Sequence, residues 1–599
     1  MQASVDKSPV WEVTMSYKAP VSDMSFLLKD VFAIQENLSS IEQFSDFDYD
    51  LYNAVLEEAA KFAEQVLEPI NRNGDEQGCL IDGTEVTTPA GFKEAYQQYC
   101  EGGWQGINGD PNYGGQGLPK ALHVAIEEML YAANSSFCLY PSLTSGATAA
   151  INAHASEELK NTYLENMTSG VWSGTMCLTE PHCGSDLGIL KTKAEPIDDT
   201  RYQLTGTKIF ITGGEHDLAE NIIHLVLARL PDAPAGPRGI SLFLVPKFLV
   251  NAGGSLGERN PITCGSIEHK MGIKGSATCV MNLDNAEGYL IGEPHKGLAA
   301  MFTMMNKERL SIALQNVGLA DASYQIAREY AADRVQGRSQ RDGKQGAAII
   351  EHSDVRRMLM TMRSINEANR AFGIYLGMQL DLEEHAADET IKLKAKQRAA
   401  LLIPIAKAYF SDTGFDNCNH GVQVLGGHGY VREWGVEQFV RDARISQIYE
   451  GSNGIQAQDF LMRKVCADKG AAINDLFADI EATLAACNDD SLASYKTKLT
   501  DMLGLTKAIT DEMIEQVAAD NFGAQGGAVE YLHLTGIMLS EWFWLQQLMA
   551  MSVLPDQEQK RKLAAADFFF DHVATKATGY AESVRQGYGK LYQLADELI

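Results

Sequence analysis

Three short clusters in the sequence hold residue types that can do chemistry. The most pointed is Val440-Arg-Asp-Ala-Arg-Ile-Ser-Gln-Ile-Tyr-Glu-Gly-Ser-Asn-Gly-Ile-Gln456, preceded by Gln423-Val-Leu-Gly-Gly-His-Gly-Tyr430. Glu450 follows the apolar pair Ile448-Tyr449 and precedes Gly451. It therefore lies where one helix ends and where Ser452 or Asn453 can cap the next. A carboxylate at a helix C-terminus opposes the macrodipole, which argues against a merely decorative charge. Met176-Cys-Leu-Thr-Glu-Pro-His-Cys-Gly-Ser-Asp186 supplies small residues and hydroxyls that let backbone N–H groups approach a phosphate or a ring edge. Its plain alternative is a tight turn on Pro181 and Gly184. Gly206-Thr-Lys-Ile-Phe-Ile-Thr212-Gly-Gly sets Phe210 and Thr212 two apart, on one face of a strand. An aromatic and a hydroxyl so placed can meet one planar ligand; the plain alternative is a core Phe and an edge Thr.

A second carboxylate stands out. Leu298, Met301, Met305, Glu308, Ile312 and Leu319 recur mostly at three- and four-residue steps, so Glu308 interrupts an apolar helical stripe. A carboxylate there is either paired, with Arg309 or another cation, or functional.

The elements that must position these residues follow from periodicity. Residues 1–40 have no clear period and are expected to be an extension or a cover over another domain. Residues 41–172 read as a helical domain, with Leu51-Tyr52, Val55-Leu56, Ala59 and Phe62 at helical steps. Loops are expected at Asn71–Pro89 and Gly102–Pro119. Residues 173–292 change texture to short Thr-, Val- and Ile-rich runs: Tyr202-Gln-Leu-Thr, Lys208-Ile-Phe-Ile-Thr, Ile222–Ala228, Ile240–Val245 and Ala277–Leu283. Turn residues bound each run, which predicts a central antiparallel β-domain. Residues 293–465 return to helices, over 297–336, 354–384, 390–422, 436–449 and 453–465, as in a four-helix bundle. Residues 466–599 predict an extra C-terminal helical domain. The fold class is α+β, mainly α.

Composition narrows the function. The chain has 599 residues, 45% hydrophobic and 22% charged, with a net charge of −29 at pH 7. That balance lacks the basic footprint of nucleic-acid binding, and an anionic ligand must meet a local cluster of donors. The 10 cysteines show no metal-ligand spacing, and neither a zinc-protease motif nor a phosphate-binding P-loop is present. No metal is expected. No apolar run reaches the roughly 18 residues that span a bilayer. Met1–Tyr17 lacks a signal pattern and the final Asp-Glu-Leu-Ile is no peroxisomal address, so a soluble cytoplasmic protein is expected.

In this order and spacing, the three clusters resemble the acyl-CoA dehydrogenase family over roughly residues 45 to 465, and the helix–β–helix order matches that family's architecture. The C-terminal block resembles its longer, four-domain bacterial members. The resemblance implies an FAD enzyme that removes an α proton and a β hydride from an acyl-CoA thioester. Glu450 is then the catalytic base, favoured because its whole motif is intact, with Glu308 as its rival: some branches of the family place their base there and lack Glu at the position of Glu450. Met176, Leu178, Thr179, Gly184 and Ser185 would line the flavin and substrate loop, and Phe210 and Thr212 would meet the isoalloxazine. Arg334 would reach the flavin of a neighbouring subunit, and Gln423, Gly427 and Ser452 would lie around its adenine end. Asn306 and Arg309 would serve the CoA chain. The sequence departs from the family pattern at Phe210, where Trp is common, at Gly337, often aromatic, and at Gly454, often Gln. Implied partners are the acyl-CoA substrate, an electron-transfer flavoprotein and a second copy in a homodimer. Medium- or long-chain acyl-CoA is favoured. The alternatives are 3-(methylthio)propanoyl-CoA, an oxidase that passes electrons to O2, and a non-catalytic flavin or acyl-CoA scaffold.

Overall fold

The computed structural model describes residues 16–599, so what is read from the sequence of residues 1–15 lies outside the described residues. The N-terminal region is helical where apolar spacing demands it. Helix Tyr49–Phe62 starts behind Asp48, whose side chain accepts from the Leu51 N–H at 2.8 Å. Helix Glu68–Gln77 carries proline in its first turn, where the missing N–H is not needed. It therefore runs through the start of the loop expected from Asn71. The rest of that loop holds a hairpin, Leu80–Asp82 against Glu85–Thr87, turning at Gly83 with φ of 61°. These strands are too short to show a period of two. The stretch Gly102–Pro119 is a loop with two short 3-10 turns, as expected.

Helix α1 (Lys120–His154) is buried along nearly its whole length. It breaks at Asn134 (φ −159°), whose side chain accepts from the Phe137 N–H at 3.1 Å and so restarts the helix.

The central sheet has seven strands: β1 (Trp172–Cys177), β2 (Lys193–Pro196), β3 (Arg201–Thr212), β4 (Asn221–Arg229), β5 (Ile240–Pro246), β6 (Ile262–Ile267) and β7 (Thr278–Ile291). Their order is β6-β7-β3-β2-β4-β1, and β5 pairs with both β4 and β7, which closes the sheet on itself. Most pairs are antiparallel, as expected, but β1 runs parallel to β4 and β2 meets β4 in parallel. The runs at Tyr202 and Lys208 form one strand, because Gly206 between them stays in the ladder opposite Leu283.

The bundle is built from α2 (Gly297–Asp333), α3 (Ser353–His385) and α4 (Glu389–Leu425). Its fourth long member is α1, contributed from the N-terminal region. Gly318 of α2 lets the two helices close up: a Cβ there would sit 2.5 Å from the Glu128 carbonyl of α1. Shorter helices α5 (Val436–Arg444) and α6 (Asn453–Gln458) flank the segment that carries Glu450. The C-terminal block is helical, as expected. Its α7 (Ala528–Ala550) stacks Phe543 on Phe372 of α3, ring centres 5.2 Å apart, and Trp544 donates to the Ser364 carbonyl at 3.1 Å. Among the described residues, no helix is long and apolar enough to cross a membrane.

Charges buried between these layers tie them together. Arg370 of α3 donates to Glu128 of α1 at 2.6–3.1 Å and to Asp23 of the N-terminal segment at 2.7 Å. Lys562, on α8 (Asp556–Phe568), lies 2.9 Å from Glu367 of α3 and also meets Asp23. Removing one partner of such a set leaves a buried charge uncompensated. Arg370→Met is expected to cost on the order of 3–5 kcal/mol, measured as a lower denaturant midpoint for loss of bundle helicity.

Candidate functional site

Glu450 is held by backbone geometry before any side chain acts. It has φ of 55° and Gly451 has φ of 85°, two consecutive left-handed residues that reverse the chain between α5 and α6. A glutamate in this region is strained, and strain of this kind persists only where the surroundings over-determine it. They do. Lys407 of α4, wholly buried, donates to the Gly451 carbonyl at 2.7 Å and to Asn453 Oδ1 at 3.0 Å. Gln456 donates to the Glu450 carbonyl at 3.1 Å. Asp412 Oδ1 accepts from Asn453 and from Gln447, both at 2.7 Å, and its Oδ2 lies 2.9 Å from His533 Nε2 of α7. The C-terminal block thus braces the turn through one aspartate. Ser452 occupies the N-cap of α6, but neither it nor Asn453 caps it through the side chain: Asn453 is spent on Lys407 and Asp412, and Ser452 serves through its carbonyl, which takes the Gln456 N–H.

The carboxylate so placed is unusual. Glu450 Oε2 is buried without a partner. Burial pushes its pKa up to about 7 against the pull of Arg309 and Lys407. Burial likewise pushes Lys407 down to about 7, opposed by Glu450.

Glu308 is the second acid, and it interacts with Glu450 electrostatically. It is 1% exposed, and of the alternatives left open for it, the ion pair with Arg309 does not form. Adjacent helical positions point apart, so Arg309 turns to Asn306, at 3.2 Å, and to Asp459, at 3.9 Å. Glu308 Oε2 accepts from Ser142 of α1 at 3.0 Å, and its Oε1 is buried and unpartnered. Gly146 of α1 makes the room: a Cβ there would come within 2.5 Å of Oε1. Burial, then the charge of Glu450, raises Glu308 to about 8. The two carboxylates therefore sense one another across one site.

The other two clusters border this site. Met176 and Leu178 pack with Leu143 and Ala147 of α1 and Met301 and Met304 of α2, an apolar wall next to Glu308. The 176–186 segment is stitched to β3 by Ile209 N–H to the Thr179 carbonyl (2.9 Å) and Lys208 to the Leu178 carbonyl (3.0 Å). The turn falls at Pro181-His182, between Glu180 and Cys183. Phe210 stands in a bulge of β3 opposite β7, with φ of 58°, while Thr212 is back in the ladder opposite Thr278. The bulge aims the ring outward, leaving Phe210 60% exposed. Thr212, Thr179 and Ser185 make no side-chain hydrogen bond among the described residues. The outward aromatic of β3, with free hydroxyls at Thr212 and on the 176–186 segment stitched to the same strand, fits a planar, hydrogen-bonding ring system and its polar tail. Arg334, Gln423 and Gly427 are exposed at the other end of the bundle, and no atom lies within 4 Å of a Cβ built at Gly427.

Lys407, Asp412, Ser142 and His533 were not singled out by the sequence. Lys407 had a signal, a lone lysine in the apolar run Ile403-Pro-Ile-Ala-Lys-Ala-Tyr-Phe410. The others had none, because their partners lie in distant segments.

Four family models match the chain: the N-terminal domain of acyl-CoA dehydrogenase over 50–171, its middle domain over 175–286, its C-terminal domain over 295–464, and an acetyl-CoA dehydrogenase C-terminal-like domain over 476–595. The chain is 40% identical to a 3-methylmercaptopropionyl-CoA dehydrogenase of Ruegeria pomeroyi, covering 94% of this chain and 95% of that one. It is 36% identical to a butyryl-CoA dehydrogenase of Syntrophomonas wolfei, over 95% and 97% of the two chains. An acyl-CoA dehydrogenase from Bacillus anthracis, solved with FAD, superposes with a TM-score of 0.74 at 21% identity, over 91% and 90% of the two chains.

Two outcomes follow from the geometry. If Glu450 must be ionised, kcat/KM rises with pH along a limb near 7 and is flat above it; a limb in the ordinary carboxylate range would refute the assignment. Removing the brace with His533→Ala is expected to lower kcat on the order of tenfold, because small misplacements of a reacting group are costly, with flavin content and KM little changed.

Proposed function

The chain belongs to the acyl-CoA dehydrogenase family, and we propose that within it Glu450 is the base that takes the α proton of a bound acyl-CoA. The family is FAD-dependent, and FAD when bound supplies the acceptor for the β hydride. The chain's own residues do the rest. Glu450 stands unpartnered, with a pKa of about 7, so it can take a proton at neutral pH and give it up again. Arg309 and Lys407 draw its pKa down against the effect of burial. Met176, Leu178, Met301 and Met304 exclude water from the reacting carbons. Phe210, Thr212, Thr179 and Ser185 hold the flavin edge. The exposed Arg334, Gln423 and Gly427 are left for the flavin of a second subunit, consistent with a homodimer. Electrons pass on to an electron-transfer flavoprotein.

The unpartnered Glu450 carboxylate carries this reading. Glu308 is the second acid, and its own pKa of about 8 leaves it protonated, a poor base, under the same conditions.

The substrate is a short acyl thioester. The observation that favours this over the longer chains expected from the sequence is the buried polar layer of Glu308, Ser142 and Ser311 beside the apolar wall. Those groups are already buried and hydrogen-bonded to one another, so a long tail reaching them would meet a polar surface in place of an apolar one. The relatives named for 3-methylmercaptopropionyl-CoA and butyryl-CoA also take short acyl groups.

Glu450→Gln is expected to abolish flavin bleaching by acyl-CoA while FAD stays bound, and Glu308→Gln to retain bleaching. Normal turnover by Glu450→Gln sinks the assignment. In a panel of acyl-CoAs scored by anaerobic bleaching, four-carbon and methylthio substrates should lead; faster bleaching by long chains would restore the longer-chain reading. Reduction of an electron-transfer flavoprotein, against peroxide formed in air, separates dehydrogenase from oxidase.

A further inference from the structure

A second cleft lies away from the Glu450 turn, with a volume of about 110 Å³. Gln105, Asn108 and Asp110 of the 102–119 loop form one wall, and Ser145, Thr148 and Asn152 of α1 form another. Lys307 of α2, Glu384 of α3 and Lys120, at the start of α1, also line it. Ser145, Thr148 and Asn152 recur at steps of three and four, so they share one face of α1. Neither Glu308 nor Glu450 lines this cleft.

All but one of its charged groups are already answered. Lys120 and Glu384 form an ion pair. Asp110 accepts from the Asn112 N–H at 2.9 Å through Oδ1 and from Asn152 at 3.2 Å through Oδ2. Lys307 is half-buried and, among the described residues, makes neither a hydrogen bond nor an ion pair. The acids that act on it do so from a distance and are engaged elsewhere. Glu127 takes a hydrogen bond from Ser311 at 2.9 Å, Glu308 takes one from Ser142 at 3.0 Å, and Glu384 holds Lys120.

The neutral groups of the wall are open as well. The Asn108 side chain makes no hydrogen bond among the described residues. Gln105 is 5% exposed; its amide donates to Ser145 Oγ at 2.9 Å and to the Pro141 carbonyl at 3.2 Å, and its Oε1 is buried without a partner. A wall that served packing alone would close its buried polar groups. An ammonium drawn out of water without a counter-ion is costly, and an anion that comes to it removes the cost.

We propose that this cleft binds a short monocarboxylate, with its carboxylate on Lys307 and Asn108 and its carbons against Ala149 and Leu164, which line the same space. The site does not depend on Glu450 being the base, and no bond is made or broken in it. At roughly 30 Å³ per water molecule, the cleft has the room of about four waters, which suits an acid of roughly two to four carbons. Charge sets the same limit, because one free cation answers one negative charge. A phosphate dianion would bring a second charge against Asp110 and Glu384, which line the same space. In a chain with a net charge of −29, an anion is held only where donors stand together in this way.

Propionate is the probe. The FAD-loaded enzyme is first saturated with an acyl-CoA whose β-methylene is replaced by sulfur, so that the catalytic site is filled. Propionate is then titrated by saturation-transfer NMR. Saturable binding is expected, with a dissociation constant on the order of 1 mM, within reach of a five-atom ligand. Lys307→Gln is expected to weaken it at least tenfold, the loss of one charge-assisted hydrogen bond. Asn108→Asp, a loop change that leaves the helices intact, places a carboxylate in the cleft and is expected to weaken it as much; it carries the test if Lys307→Gln does not fold. Inorganic phosphate at the same concentration is expected not to compete. Parental affinity in either folded variant overturns the site. So does loss of binding once the analogue is present, which would place propionate in the catalytic site, and so does displacement by phosphate.

Discussion

Everything around the site answers to one demand: a carboxylate must be kept out of water and yet left without a partner. Burying an ionised carboxylate alone costs many kcal/mol, and a protein normally escapes by pairing it or by protonating it. At Glu450 neither escape is complete. Arg309 and Lys407 act on it through their charge but do not hydrogen-bond it, and its pKa settles at about 7. A group poised there is expensive to hold, which explains how much scaffolding is spent on the turn. Two left-handed residues in succession give it direction. Lys407, Asn453 and Asp412 fix the turn, and each of them is itself saturated by the next.

That chain of support reaches further than a local turn requires. Asp412 Oδ2 is held by His533, from a helix some hundred residues later in the chain. The C-terminal helices therefore do more than cover α3 and α4: they contribute one hydrogen bond to the bracing of the Glu450 turn. The N-terminal segment is tied in the same manner, since Asp23 sits between Arg370 of the bundle and Lys562 of the C-terminal block. Shared charges of this kind couple blocks that periodicity shows only as separate helices.

The sequence made the periodic part of this legible and hid the rest. Long apolar stripes announced α2, α3 and α4 to within a few residues, because a period of 3.6 accumulates over many turns. The hairpin at Leu80–Thr87 was hidden because three residues cannot display a period of two. The continuity of β3 through Gly206 was hidden because glycine looks like a turn in isolation. The cluster around Glu450 showed that a special residue was there. It did not show the constraint on it, since neither Ser452 nor Asn453 caps α6 through its side chain and Asn453 turns back to Lys407, on a helix that only tertiary packing brings near. Glu308 was legible as an anomaly in an apolar stripe. Its partner Ser142 was not, because a serine among buried residues of a long helix carries no mark.

The two acids also explain each other. Two carboxylates in one desolvated space cannot both be ionised without repelling, so one must hold a proton while the other is free. Their surroundings decide which. Arg309 and Lys407 lie on the side of Glu450 and draw its pKa down; burial and the negative charges of Glu450 and Glu127 raise that of Glu308, against the Ser142 hydroxyl and Lys307. The asymmetry favours the proposed roles, Glu450 as acceptor and Glu308 as holder of a proton. A rival base would need the reverse arrangement, with its own cations and no acid neighbour. The residue that first read as a competitor for the same role is, by its environment, suited to the complementary one.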